Sequence, residues 1–497
     1  MIPFGEFLPD QPALGNPGAT VAKNCVPKTK GSYGPFAGLN VVTDALTARC
    51  QGAHAVRDQN GDVQEFAGDA TKLYQRSGTT WTDVSGATYT TASDGYWRFV
   101  GSGIGGVARI IATNFADAIQ NFDLATDSAF SDLSANAPKA RALGIIYPGF
   151  VMVGNTWDST DGFQPQRVWW PAIDDPTDWP TPGSADAASK QSDFQDMIEG
   201  GYVQAIVGAV GGSAGAVLTD NTLYRVDYTQ SDTVFAFTPI ERSRGTFAPN
   251  STINVGPLAF YLSEDGFRAF DGSQSIPIGD QKIDNFVLDD LTDVANNARI
   301  YAAASARDKL VYWAYSNAAT GNPNKIIIYN WEINQWSWAE VDTQLIYQSL
   351  TASLTLEDLD AYGTMETLPY SLDSRAWQGG QITAGGFDTA NKQGLFTGSN
   401  LAAVLESTEY ARDDGRRLFV KAIRPLVDGG TITSAVKWRD TPDGSYTTNT
   451  ATAVGSDGTC PQRQSCRYAR AQVNIAAGGS WTHAQGIEPD MIPEGMR

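Results

Sequence analysis

Residues 326–341 read IIIYNWEINQWSWAEV. A β-branched run closes on Tyr329, a polar turn follows, and Trp336 and Trp338 then alternate with Ser337 and Ala339. Period-two spacing sets the aromatic side chains on one face, so the stretch reads as a β-hairpin. Residues 73–85, LYQRSGTTWTDVS, repeat the phrase: Tyr74 precedes Trp81 by the same interval that separates Tyr329 from Trp336. Aromatic side chains on a small sheet cannot be buried within it. Repetition of such sheets therefore predicts a β-propeller whose tryptophans pack between blades.

Strand phrases of blade length run outward from this hairpin in both directions. Upstream lie YWRFVGS with VARIIATNF, then ALGIIYPGFVMVGNTW with QRVWWPAI, then TLYRVDY with FAFTPIE. The segment INVGPLAFYLSEDGFRAFDGSQSIPIG turns at Glu264-Asp265-Gly266 and again at Asp271-Gly272. Six blades are expected over residues 46–380, with seven as the alternative, and the fold class is all-β. Residues 1–45 carry nine prolines and glycines in the first 31 positions and read as an extended arm lying on its own body or on a neighbour. Between 343 and 380 the pattern loosens into a polar stretch suited to a short helix or an irregular excursion. Residues 381–497 read as a small antiparallel C-terminal unit, alternatively the blade that closes the ring. Within it, RRLFVKAIRPLVDGG and TITSAVKWRD are expected to form one hairpin around Asp428-Gly429-Gly430, and a second strand pair is expected across Gly478-Gly479.

The chain of 497 residues has 35 basic and 55 acidic side chains, a net charge of −20. Such a surface repels nucleic acid and anionic membranes, and no basic cluster exceeds pairs such as Arg416-Arg417. The charge-free stretch 200–219 contains six glycines and divides at Gly211-Gly212, which predicts two buried strands and a turn rather than a membrane helix. No membrane anchor is expected. The four cysteines, Cys25, Cys50, Cys460 and Cys466, and an N-terminus without the regions of a signal peptide point to synthesis in a reducing cytoplasm. Zinc needs paired short spacings that these cysteines lack, and inert thiols are expected, with a Cys460–Cys466 disulfide as the alternative.

Each candidate for chemistry is weak. Asp58, Asn60 and Asp62 resemble a calcium loop, but Val63 stands where that loop requires glycine, so a type I′ turn at Asn60-Gly61 is expected. Ser93-Asp94-Gly95-Tyr96-Trp97 has the wrong spacing for an Asp-box turn. Neighbouring Asp174 and Asp175 point apart on a turn and make no acid/base pair. The two histidines, His54 and His483, lie far apart, and no G-x-S-x-G elbow accompanies them. The glycine runs near 101–106 and 208–215 lack the lysine and helix start of a phosphate loop. No catalytic, cofactor or metal residue is assigned. The thirteen tryptophans are expected in inter-blade packing rather than in a carbohydrate cleft.

Taken together, the phrases of the chain resemble the propeller-type tail proteins of tailed phages, which form the hub or nozzle of short-tailed phages. The resemblance is carried by Asn24, Val26-Pro27 and Tyr33-Gly34-Pro35-Phe36 in the arm, then by Leu73-Tyr74 and Trp81-Thr82-Asp83-Val84. It continues through Arg244-Gly245-Thr246, Ala248-Pro249, Leu262-Ser263-Glu264-Asp265-Gly266-Phe267, Phe270-Asp271-Gly272 and Ile276-Pro277-Ile278-Gly279. It ends with Tyr329-Asn330-Trp331, Ser371-Leu372-Asp373-Ser374-Arg375, Arg467-Tyr468 and Trp481-Thr482-His483. The resemblance implies a structural virion protein with no enzymatic activity, assembled as a ring of six copies below the portal and adaptor. It implies contact with tail fibres or spikes, and passage of genome DNA through the ring without sequence-specific binding. The alternative expectation is a propeller-type carbohydrate-active enzyme or lectin. That reading requires two or three carboxylates in a funnel at the propeller axis.

Overall fold

In the computed structural model the opening hairpin pairs Lys325–Asn330 with Gln335–Glu340, and Tyr329 lies directly opposite Trp336. The described residues are 1–494 except 232, 292–293, 319–320, 352–379 and 413–414. Tyr301–Ser305 and Leu310–Tyr315 complete a four-stranded antiparallel sheet with the hairpin. Alternate residues of its third strand serve two different seams. Ile327 and Tyr329 join the core shared with the preceding sheet, whereas Ile326 and Ile328 face the sheet that follows. A strand buried on both faces reads as a continuous apolar run, which is why this stretch has no polar alternation.

Seven sheets of this kind surround one axis. Blades 1 to 6 span 52–83, 98–132, 139–196, 203–242, 253–277 and 301–340. Blade 7 takes Leu345–Leu350, Ile382–Phe387 and Lys392–Leu395, and receives its outermost strand, Asn40–Ala45, from the N-terminal segment. Each innermost strand lies against the next around the ring, and that of blade 7 lies against that of blade 1, so the circle is closed. Of the two expected counts the structure has the larger. Pairing of an early strand into the last blade removes the free edges that an open ring would present.

This closure shifts the expected boundaries. The limit at 380 falls inside blade 7, and the last six residues of the expected arm are a blade strand. The loose stretch expected at 343–380 lies mostly in 352–379, outside the described residues, as does the phrase 371–375. Residues 1–39 lie on their own body: Phe4 and Phe7 are buried in the largest core cluster, and Ala22–Lys23 pairs with Gln335–Glu340 on one side and Ala403–Glu406 on the other.

Through that short strand the blade 6 sheet continues into the C-terminal unit, which has two sheets. One carries Ala403–Glu406, Tyr468–Ile475 and Ile432–Arg439; the other carries Leu418–Val427, Cys460–Cys466, Ala484–Pro493 and the arm hairpin Cys25–Thr29/Ser32–Pro35. The two hairpins expected here are therefore absent. At Asp428–Gly430 and again at Gly478-Gly479 the chain crosses from one sheet to the other, because each strand buries its apolar face against the opposite sheet.

Local turns follow the same pattern of partial agreement. Val203–Val210 and Ala214–Thr219 flank Gly211 and Gly212, both at positive φ (59° and 110°), as the glycine split predicts. The turn after Arg57 is not type I′, since only Gly61 of the Asn60-Gly61 pair has positive φ (91°). Asp58 Oδ1 organises it instead, accepting from the N–H groups of Asn60 and Asp62 at 2.8 and 2.9 Å. In blade 1, Tyr74 lies opposite Asp83, and Trp81 opposite Arg76. The matching interval between Tyr and Trp is thus a coincidence of sequence, arising because this hairpin has a two-residue loop and the blade 6 hairpin a four-residue one.

Candidate functional site

The innermost strands of all seven blades line an axial cavity of about 520 Å³. Because each blade stands edge-on to the axis, glycine and aliphatic residues such as Gly101, Gly144, Val207 and Ile253 form much of the wall. His54 is on the wall of blade 1. Burial lowers its pKa to about 4, so the imidazole is neutral at physiological pH. Arg98 crosses the axis from blade 2 and its Nη2 donates to the carbonyl of Pro249, on the connector before blade 5, at 2.7 Å. Burial lowers the pKa of this guanidinium. Among the described residues the lining contains no carboxylate, so the two-carboxylate funnel that glycoside hydrolysis needs is not assembled at the axis.

The other sequence candidates stay apart. His483 Nδ1 lies 3.0 Å from Ser32 Oγ, and Asp428 is close by, so a serine, a histidine and an aspartate do meet. The aspartate accepts from the backbone N–H of Thr482 (2.8 Å) and His483 (3.0 Å), not from the ring. These bonds depress its carboxyl to about 2. Without a carboxylate on the imidazole, the set fixes the arm hairpin to the last strand and has no relay geometry. Asp175 Oδ1 accepts from Thr177 N at 2.9 Å and Asp174 sits at φ 60°, the arrangement of a turn. Cys460 and Cys466 open and close a single strand, about 20 Å apart at the usual rise, which rules out a disulfide between them. All four cysteines are free and buried. No cluster of three or more metal-ligating side chains exists among the described residues, and none of their helices is long and apolar enough to cross a membrane.

The tryptophans of the opening hairpin lie in a seam. Trp336 is fully buried between blades 5 and 6, with ring centroids 5.1 Å from Phe267, 5.9 Å from Trp313 and 4.3 Å from Tyr329. Its Nε1 donates to Ile278 O at 3.2 Å. Two acidic residues that sequence reading passed over prove central. Asp284 is wedged against Gly266 and Gly279, where an added Cβ would lie 2.1 Å from its Cγ and 2.0 Å from its Oδ1 respectively. Glu65 joins the first blade to the last, accepting from Ser349 Oγ at 2.7 Å and Tyr347 Oη at 3.2 Å in blade 7 and pairing with Arg76 of blade 1. The signal for Asp284 was the pair of glycines in an apolar phrase. For Glu65 it was a lone acid in VQEF.

Fold and site together define a seven-bladed β-propeller continuous with a two-sheet β-unit, with a narrow axial cavity in which no carboxylate stands among the described lining residues. No protein-family model matches the chain, and no curated protein does. Among solved structures, the chain is similar to BBS1N, crystallised in complex with ARL6DN and soaked with lead, at 11% identity over 73% of this chain and 97% of that one, with a TM-score of 0.37. It is also similar to the dihydro-heme d1 dehydrogenase NirN in complex with DHE, at 11% identity over 87% of this chain and 80% of that one, with a TM-score of 0.32. Likeness at this level assigns neither site nor function.

Proposed function

We propose that the chain is a structural subunit of a phage tail, a nozzle or hub protein that forms a ring of six copies below the portal and adaptor and bears tail fibres or spikes. The observation that carries this reading is the axial cavity. At the place where a propeller glycosidase gathers carboxylates for a substrate, the described lining of this chain has none: much of it is glycine and aliphatic side chain, its polar groups are neutral apart from Arg98, and Arg98 bridges the axis. The rest of the architecture favours a rigid building block. The blade 6 sheet runs unbroken into the C-terminal unit, and the arm is tied down by strand pairing at Ile2–Pro3, Ala22–Lys23 and Cys25–Pro35. Genome DNA would pass through the lumen of the ring, because Arg98 spans the propeller's own axis. A net charge of −20 suits a lumen past which DNA must slide without sticking.

Mass photometry of the purified full chain with the adaptor, and electron microscopy of virions, test the proposal. Rings on the tail axis are expected. Monomers confined away from the tail, or glycan turnover by the purified chain, would overturn it.

A further inference from the structure

The face of the propeller where each connector enters its innermost strand gathers three arginines. Arg49 precedes blade 1, Arg98 opens the inner strand of blade 2 and Arg299 ends the turn before blade 6. Arg49 Nη2 donates to Tyr301 Oη at 3.4 Å, and Arg299 Nη2 to Ser93 O at 3.0 Å. Arg98 reaches Pro249 O, and the adjacent Asn250 Nδ2 donates to Ala298 O at 2.7 Å, which holds these connectors in one group. None of the three forms an ion pair among the described residues. Nε and Nη1 of Arg49, Nε of Arg98 and Nε of Arg299 are buried and have no acceptor.

Unpaired buried guanidinium donors are costly, and proteins ordinarily satisfy them with carboxylates. This chain has 55 acidic side chains, and several of its other arginines use them, as in Arg167–Asp196, Arg268–Asp265 and Arg439–Glu409. Arg49 and Arg299 instead lie close enough to repel one another. Desolvation lowers the Arg299 pKa first, and the Arg49 charge lowers it further. Both charges act on the hydroxyl of Tyr301, which accepts from Arg49 and retains a proton to donate. Asp94 attracts Arg299 without forming an ion pair with it, and among the described residues no carboxylate meets the open donors; an acceptor with several oxygens and a negative charge would satisfy them.

We propose that this mouth binds a small oxyanion of the phosphate class, held between Arg49 and Arg299 with the Tyr301 hydroxyl as a third donor. The planar fork of arginine matches tetrahedral oxyanions. The Arg98 bridge keeps a polymer from threading the axis, so a free ion fits where a nucleic acid strand does not. The inference does not depend on the tail reading.

Inorganic phosphate is the probe, titrated calorimetrically into the full chain with chloride at matched ionic strength as the control. Saturable binding to wild type is expected, weakened tenfold or more in Arg49→Gln and in Arg299→Gln, and unchanged in Arg242→Gln, whose side chain pairs with Glu199 on the surface. Arg299→Lys keeps the charge without the fork; it should fold and bind phosphate more weakly than wild type. In phosphate-free buffer Arg49→Gln and Arg299→Gln should be no less stable than wild type, since each removes an unpaired buried charge. Phosphate binding no stronger than chloride in wild type, or full binding in both glutamine variants, overturns the proposal. Destabilisation of both variants without phosphate overturns it too, by making the arginines structural.

Discussion

Asp284 turns the geometry of blade 5 into a pH-dependent stability. The residue is 6% exposed, and its carboxyl accepts from Phe267 N at 2.9 Å and fills the space left by Gly266 and Gly279. Burial raises its pKa from 3.8 to about 7, with Asp10, Asp265 and Asp280 pushing in the same direction against the Phe267 bond. The folded state therefore holds the proton more tightly than the unfolded one. Below about pH 4 both states are protonated and the site costs nothing. Between pH 4 and 7 the unfolded chain ionises first, and stability is lost until the folded carboxyl also ionises. The gap of about three pH units corresponds to about 4 kcal/mol. At roughly 2.1 cal/mol/K per residue the chain unfolds with an entropy on the order of 1 kcal/mol/K, so the cost is worth about 4 °C in Tm. Asp284→Asn keeps the shape and an acceptor for Phe267 without the titration. Scanning calorimetry of both proteins from pH 4 to pH 8 should show the Tm of Asp284→Asn rising relative to wild type by about 4 °C across the range. A difference that stays constant with pH would refute the reasoning.

Trp336→Ala removes the ring shared by blades 5 and 6 together with its bond to Ile278 O, and should cost about 3–5 kcal/mol in denaturant unfolding, the range for large buried aromatics. Glu65→Ala leaves Arg76, Ser349 and Tyr347 without their shared acceptor, and about 3–5 kcal/mol should be lost in the same assay, with Glu65→Gln intermediate. The four thiols are buried, and burial raises Cys50 and Cys466 to about 12. Native alkylation at pH 8 should therefore be slow at all four sites and fast after denaturation, with no disulfide found by mass spectrometry.

Strand identity was legible wherever the signal was local. The blade 5 phrase turns at Glu264-Asp265-Gly266 because Gly266 adopts φ 125°, and the stretch 200–219 divides where two glycines take positive φ. Pairing was legible only inside blades, where each strand meets its neighbour in sequence. In the C-terminal unit the same turn residues, Asp428-Gly429-Gly430, carry the chain between sheets, and the sequence of a turn does not say whether the next strand pairs with or packs on the last. Blade 7 was hidden for a related reason. Its fourth strand, Asn40–Ala45, lies some 350 positions from Lys392–Leu395, and its sequence NVVTDA has an alternation too short to mark it. The arginine mouth left no motif at all, since Arg49, Arg98 and Arg299 are brought together by ring closure.

That closure also explains why the seam between blades 1 and 7 differs from the one between blades 5 and 6. Blades 5 and 6 follow one another in the chain, so a greasy seam built on Phe267, Trp313 and Trp336 needs only to be large. Blades 1 and 7 meet from the two ends of the ring, and their apolar contacts alone, such as Trp81 against Phe387 (ring centroids 5.7 Å), would tolerate slippage between strand edges. Glu65 instead accepts from Ser349 and Tyr347, Arg76 reaches Gln393 at 3.1 Å, and Gln393 N donates to Thr43 Oγ1 at 3.0 Å, which also accepts from Trp81 Nε1. Directional bonds of this kind are satisfied in one register and costly in every other. They tie the inserted strand, the last blade and the first to a single alignment, and that alignment brings Arg49 beside Tyr301.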